Sequence, residues 1–220
     1  TGMRHIREVM KDNTSEVVER QKKAESGQMP GIPTGLVDLN RAINGWQPSD
    51  LVVVAARPGM GKTAFALHFA KAAGKQGVPV CIFSLEMSDT RLSQRLILSN
   101  GGIDTDHLKS GKMTPEDWTA YHHSIGQLER FPIYIDDTAS ASVRYISAIA
   151  RNKARRNECG MIVIDYLQLV ESPQDGGYSN KNREREVAEI SRSLKKLAKE
   201  TNVPVLLLCQ LNRAVESRSD

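Results

Sequence analysis

The chain has 220 residues and a mass of 24.4 kDa, with 40% apolar and 25% charged residues, enough for one α/β domain with a sizeable core and an appendage. Lys plus Arg exceed Asp plus Glu by 30 to 26, and this net charge of +4 permits nucleic-acid binding without arguing for it. There is no apolar run of the roughly 18 residues that a membrane span needs and no signal-peptide layout, while Cys81, Cys159 and Cys209 form no Cys-x-x-Cys, so membrane-spanning, disulfide-framed and zinc-bound classes are excluded. Buried thiols in a reducing, cytoplasmic compartment are expected, and the opening Thr1-Gly2-Met3 reads as that of an excised fragment.

In chain order, Met3, Ile6, Met10, Val17 and Val18 among charged residues predict a helix over 3–26 with one narrow apolar stripe, weakened at Asn13-Thr14. A linker at 26–33 follows, so the stripe must be buried either on its own domain or on a neighbouring subunit. Residues 31–43 read as a turn and a short helix leading to an apolar strand at 51–54. A helix is expected over 63–73, a strand over 78–85, helices over 89–99 and 115–128, a strand over 132–135 and a helix over 143–157. A strand over 161–164 then ends at Asp165, followed by a polar loop over 171–182, a helix over 186–201 and a strand over 203–209. Apolar strands alternating with helices predict an α/β fold with a parallel sheet covered on both faces.

The stretch LVVVAARPGMGKT at 51–63 has the strand, loop and helix grammar of a phosphate-binding P-loop. Backbone N–H groups from Arg57, Gly59, Met60 and Gly61 onward to Ala64 would surround a triphosphate, with Gly59 and Gly61 free of an obstructing Cβ and the new helix adding its positive N-terminus. Pro58 itself lends only its carbonyl and its shape. Lys62 would reach the β- and γ-phosphates of ATP and the Thr63 hydroxyl would ligate Mg²⁺. The strict spacing puts its first glycine at position 56, where this chain has Ala56.

Three further residues stand at the C-terminal ends of apolar strands, where ligands gather in an open parallel sheet. Asp165 ends MIVI in the Walker B manner and can hold Mg²⁺ beside Thr63. Glu86 can polarise an attacking water, or else serve as a helix cap; Gln210 can bond the γ-phosphate and report its loss. The His122-His123 pair has no ligand-spaced partner and reads as surface.

Taken together, ARPGMGKT at 56–63, SLEM at 84–87, DYLQL at 165–169 and EISRSLKKLAKETNVPVLLLCQLNR at 189–213 closely resemble the RecA-type motor domain of bacterial replicative DNA helicases, the DnaB family. The resemblance implies a RecA-like P-loop NTPase fold over 31–220, truncated at its C-terminus, behind a linker helix and linker over 1–30. It implies a homo-hexameric ring around single-stranded DNA, with ATP between subunits and the linker helix packed on the adjacent protomer. By position, Lys62 and Thr63 become the P-loop pair, Glu86 the catalytic base, Asp165 the Walker B aspartate and Gln210 the γ-phosphate sensor. Arg95 falls where the family has a nucleotide-site arginine, the alternative being a solvated helix face.

DNA contacts are implied in two loops. One carries Lys181, Arg183 and Arg185, which either track phosphates or belong to a surface loop whose charge Glu184 and Glu186 balance; the other begins at Asn212 and Arg213. A basic cluster at Arg151, Lys153, Arg155 and Arg156 reads as a solvated or intersubunit face. The family's trans-acting basic finger, its N-terminal domain that meets primase, and any surface for a loader would lie outside the chain, which is therefore expected to bind nucleotide and hydrolyse it poorly alone. Two rival functions remain at this stage: a filament-forming recombinase relative, and a nucleotide-gated loading module that is not an enzyme.

Overall fold

The structure is a computed structural model that describes residues 2–139, 141–165 and 180–211, with side chains in the last segment from residue 185 onward. Its first helix, α1 (Ile6–Glu25), runs unbroken through Asn13 and Thr14. The Thr14 and Ser15 hydroxyls donate to the carbonyls of Met10 and Lys11 four residues back, so the polar pair is absorbed within the helix. No residue of α1 is buried, and Ile6, Met10 and Val17 all remain exposed. Packing of the stripe on its own domain is therefore not what the described residues adopt.

The domain begins where Ile32 and Trp46 form an antiparallel bridge, with mutual N–H···O bonds of 3.0 and 2.8 Å. Gly31 is required there, because a Cβ would lie 2.6 Å from the Asn44 carbonyl oxygen and 2.8 Å from that of Trp46. The short helix α2 (Val37–Ile43) is tied back by Asn40, whose Oδ1 accepts from both the backbone N–H and the hydroxyl of buried Thr34.

From there strands and helices alternate: β1 (Leu51–Ala56), α3 (Lys62–Lys75), β2 (Val80–Ser84), α4 (Asp89–Gly101), α5 (Thr105–Ser110), α6 (Pro115–Leu128), β3 (Ile133–Asp136), α7 (Val143–Arg155), β4 (Met161–Asp165), α8 (Asn180–Thr201) and β5 (Val205–Gln210). The five strands among the described residues form one wholly parallel sheet in the order β1-β5-β4-β2-β3. Period-two alternation divides each strand between two cores. Phe83, Ile162, Ile164, Val205 and Leu207 pack under α7 and α8, while Val80, Ile82, Val163, Leu206 and Leu208 pack under α3 and α4. Both faces of the central strands are buried, which is why β2 and β4 are apolar along almost their whole length.

Three expectations are corrected. The helix α5 is additional, capped by Asp104, whose carboxylate accepts from the Asp106 N–H at 2.8 Å, and closed by left-handed Gly111. The last long helix starts at Asn180, so Lys181, Arg183 and Arg185 lie on a helix and not in a loop. Strand β5 starts at Val205, since Pro204 has no N–H to give the ladder. Helices cover both faces of the sheet as expected, with Val53 on edge strand β1 left 52% exposed.

The three cysteines are free thiols; Cys81 and Cys159 are buried in the same core, and Cys209 is half-buried. The Cys159 thiol is pushed above the ordinary range by its hydrogen bond with Cys81 and by burial. His122 and His123 are exposed, the former stacked on Trp118. Half of the basic cluster is used internally: Arg151 pairs with Glu200 at 2.8 Å and Lys153 with Glu158 at 2.7 Å. No described helix is long and apolar enough to cross a membrane.

Candidate nucleotide site

At the C-terminal end of β1 the chain leaves the sheet through an exposed turn, Arg57, Pro58, Gly59 and Met60, closed by a Met60 N–H bond to the Arg57 carbonyl at 3.3 Å. Gly59 and Gly61 both have φ of +78°, a region that side-chain-bearing residues rarely enter, and a Cβ on either would project into open space. Backbone conformation is thus what demands glycine in this structure. Ala56, by contrast, is the last residue of β1 and pairs in extended conformation with Gln210, so the departure from the strict motif costs nothing there.

Helix α3 starts at Lys62 with Gly61 as its N-cap, and no side chain caps it. That leaves the positive end of the helix, including the exposed Ala64, facing the outlet of the turn. The first two helical side chains turn to Asp165. The Thr63 hydroxyl donates to Asp165 Oδ2 at 2.6 Å and Lys62 Nζ stands 3.7 Å from Oδ1, with the lysine and aspartate side chains 9% and 3% exposed. At 3.7 Å the ammonium is an ionic neighbour and not a hydrogen-bond donor, so Oδ1 accepts no hydrogen bond among the described residues despite its burial.

A buried carboxylate oxygen with no hydrogen bond, next to a hydroxyl and an ammonium, fits a hard cation held between protein and phosphate. Among the described residues no group of three or more His, Cys, Asp or Glu could form a metal cage.

The other candidates reach the same sheet edge by backbone pairing. Ser84 is in register with Asp165, and the Leu85 N–H donates to the Asp165 carbonyl at 2.8 Å, which places exposed Glu86 one residue beyond that bond. Gln210 is in register with Ala56 and half-buried, and the next N–H, of Leu211, returns to the Ala56 carbonyl at 3.0 Å. Arg95 is exposed on α4.

Lys62, Thr63 and Asp165 are therefore in direct contact, and Glu86 and Gln210 join them through main-chain bonds. Arg185 is exposed on α8, the side chains of Lys181 and Arg183 are not described, and Asn212 and Arg213 lie outside the described residues. Two residues that sequence reasoning did not single out also hold the edge: Ser84, bonded to Met87, and Asp137, whose carboxylate accepts from the Asp89 N–H at 3.1 Å. For Asp137 the signal was its place just past an apolar strand.

A P-loop whose lysine and threonine meet an aspartate across an intervening strand, in a parallel sheet ordered β1-β5-β4-β2-β3, defines a nucleotide-binding domain of the RecA-like class. The chain belongs to the DnaB-like helicase C-terminal domain family, whose model matches residues 31–220. Replicative DNA helicase DnaB of Geobacillus stearothermophilus is 51% identical over 195 residues, covering 88% of this chain and 42% of that protein. Replicative DNA helicase DnaC of Bacillus subtilis (strain 168) is 47% identical with the same coverage. Among solved structures, one described as an ATPase domain superposes with a TM-score of 0.84 at 36% identity, over 95% of this chain and 74% of that one. A DnaB-like replicative helicase, described with its interactions with primase, gives 0.80 at 38% identity, over 94% and 50%. The chain thus spans less than half the length of the curated relatives it matches.

Proposed function

We propose that the chain is the ATP-hydrolysing motor part of a replicative DNA helicase, translocating on single-stranded DNA and separating a duplex by excluding one strand. The observation that carries this reading is the meeting of Lys62 and Thr63 with buried Asp165, with Glu86 tied to the same strand end through the Leu85–Asp165 bond. The turn at 57–61 and the uncapped start of α3 cradle the phosphates, and Lys62 neutralises the β- and γ-oxygens. Thr63 and Asp165 would hold Mg²⁺, which supplies further charge stabilisation at the phosphates. Glu86 orients a water and holds its proton as the water oxygen bonds to the γ-phosphorus and the bond to the bridging oxygen breaks. Arg95 adds positive charge at the nucleotide.

Gln210 senses the γ-phosphate and anchors the segment that follows it, so loss of phosphate moves DNA-gripping residues there, Asn212 and Arg213 among them. Lys181, Arg183 and Arg185 approach the DNA phosphates from α8. The exposed stripe of α1 docks on a second copy of the chain, building a hexamer with each ATP between two subunits, and a basic residue from the neighbour completes the site. Primase and a loader meet parts of the protein outside this chain, which works in the cytoplasm. The names carried by its relatives favour a helicase over a recombinase filament or a passive loading module.

The test is ATP turnover and strand displacement by the full protein, with and without single-stranded DNA, together with particle imaging. DNA-stimulated hydrolysis, unwinding and closed rings are expected. Hydrolysis without strand separation would overturn the motor reading, and open filaments would point to a recombinase. A Gln210→Ala variant is expected to bind ATP normally yet lose most unwinding; full-rate unwinding by that variant would remove Gln210 from the coupling.

A further inference from the structure

Glu86 lies on a short segment between the end of β2 and the start of α4, and among the described residues its side chain has no hydrogen-bond or ion-pair partner that fixes its position. That segment is pinned at three points. At its start the Leu85 N–H bonds to the Asp165 carbonyl at 2.8 Å, and at its end the Asp89 N–H bonds to Asp137 Oδ2 at 3.1 Å. The third point is made by Ser84, the last residue of β2 and only 1% exposed, which reaches forward to Met87. Its hydroxyl donates to the Met87 carbonyl at 2.6 Å and accepts from the Met87 N–H at 3.3 Å, so one oxygen closes the turn by holding both backbone groups of the residue that follows Glu86.

We infer that Ser84 is the positioning residue for Glu86, holding its carboxylate at the distance from the γ-phosphate that proton abstraction requires. The inference rests on the reading of Glu86 as the base. The physical reason is that Leu85 and Met87 are only half-buried and Glu86 between them is exposed, so without that hydroxyl the turn gains backbone freedom, whereas reacting groups must be held near attack geometry. Ser84 also pairs in register with Asp165, so the clamp is referenced to the carboxylate that Thr63 and Lys62 contact. Alanine at this position keeps the strand and the apolar packing but leaves both Met87 groups without their partner.

The experiment is a double-mutant cycle on ATP turnover in the full protein, using Ser84→Ala, Glu86→Gln and the pair. Ser84→Ala is expected to lower kcat by about 10- to 100-fold, the scale of a small misplacement of a reacting group, with KM and the affinity for a non-hydrolysable ATP analogue unchanged. Ser84→Cys, which keeps the volume with a weaker hydrogen-bonding group, is expected to fall between. The double variant should be no slower than Glu86→Gln alone. Wild-type kcat in Ser84→Ala, equal losses in kcat and analogue affinity, or additive losses in the double variant would each overturn the inference. If Glu86→Gln itself turned over at the wild-type rate, the base assignment would fail instead, a result distinct from the other three.

Discussion

Replacing Glu86 by glutamine is expected to lower ATP turnover by about 10² to 10⁴-fold, the range that a positioned general base contributes, while leaving nucleotide affinity intact. The amide keeps the size of the carboxylate and can still orient a water, but it cannot accept the proton. Because Glu86 is exposed and makes no contact that stabilises the core, its loss should not move the melting temperature. Burst-phase and steady-state hydrolysis on the same preparation, with analogue binding measured alongside, separate chemistry from binding. A variant that bound ATP ten times more weakly but turned it over normally would show that Glu86 contacts the nucleotide and not the water.

The second large effect is expected at Asp165. Its two oxygens are used differently: Oδ2 accepts the Thr63 hydroxyl, and Oδ1 faces the Lys62 ammonium without a hydrogen bond. In Asp165→Asn the amide carbonyl can still take the Thr63 bond, so the fold should survive. The charge facing Lys62 is gone, however, and the amide cannot serve as an anionic ligand. Hydrolysis is expected to fall by about 10² to 10³-fold, as when one preorganised electrostatic group is removed. The distinguishing readout is the dependence of analogue affinity on Mg²⁺, which should be steep in the parent protein and flat in the variant. An unchanged dependence in Asp165→Asn would place the metal elsewhere.

The strands could be read in the sequence because they are short apolar runs bounded by Gly, Pro or polar residues, as at Val80–Ser84 and Met161–Asp165. Helix α5 escaped because six residues are too few to display a helical period. The start of α8 escaped because NKNRER has no apolar residue to mark a face. The order β1-β5-β4-β2-β3 is set by packing between strands far apart in the chain, and no local pattern encodes it.

The site divides along the same line. Lys62, Thr63 and Asp165 belong to motifs whose chemistry is local, so their types and spacing suffice. Glu86 follows a strand and Gln210 ends one, as many structural residues do, and family resemblance was needed to choose the catalytic role over the structural one. Ser84 is a common residue whose role arises only when the turn it closes is bonded to the Asp165 strand.

The most direct measurement is a structure of the assembled protein with Mg²⁺ and a non-hydrolysable ATP analogue. The triphosphate should lie in the turn at 57–61 with Lys62 on its terminal groups, the Thr63–Asp165 bond should open around the metal, and the Glu86 carboxylate should sit one water away from the γ-phosphorus. A triphosphate outside that turn, or a Glu86 directed away from the γ-phosphate, would contradict the account.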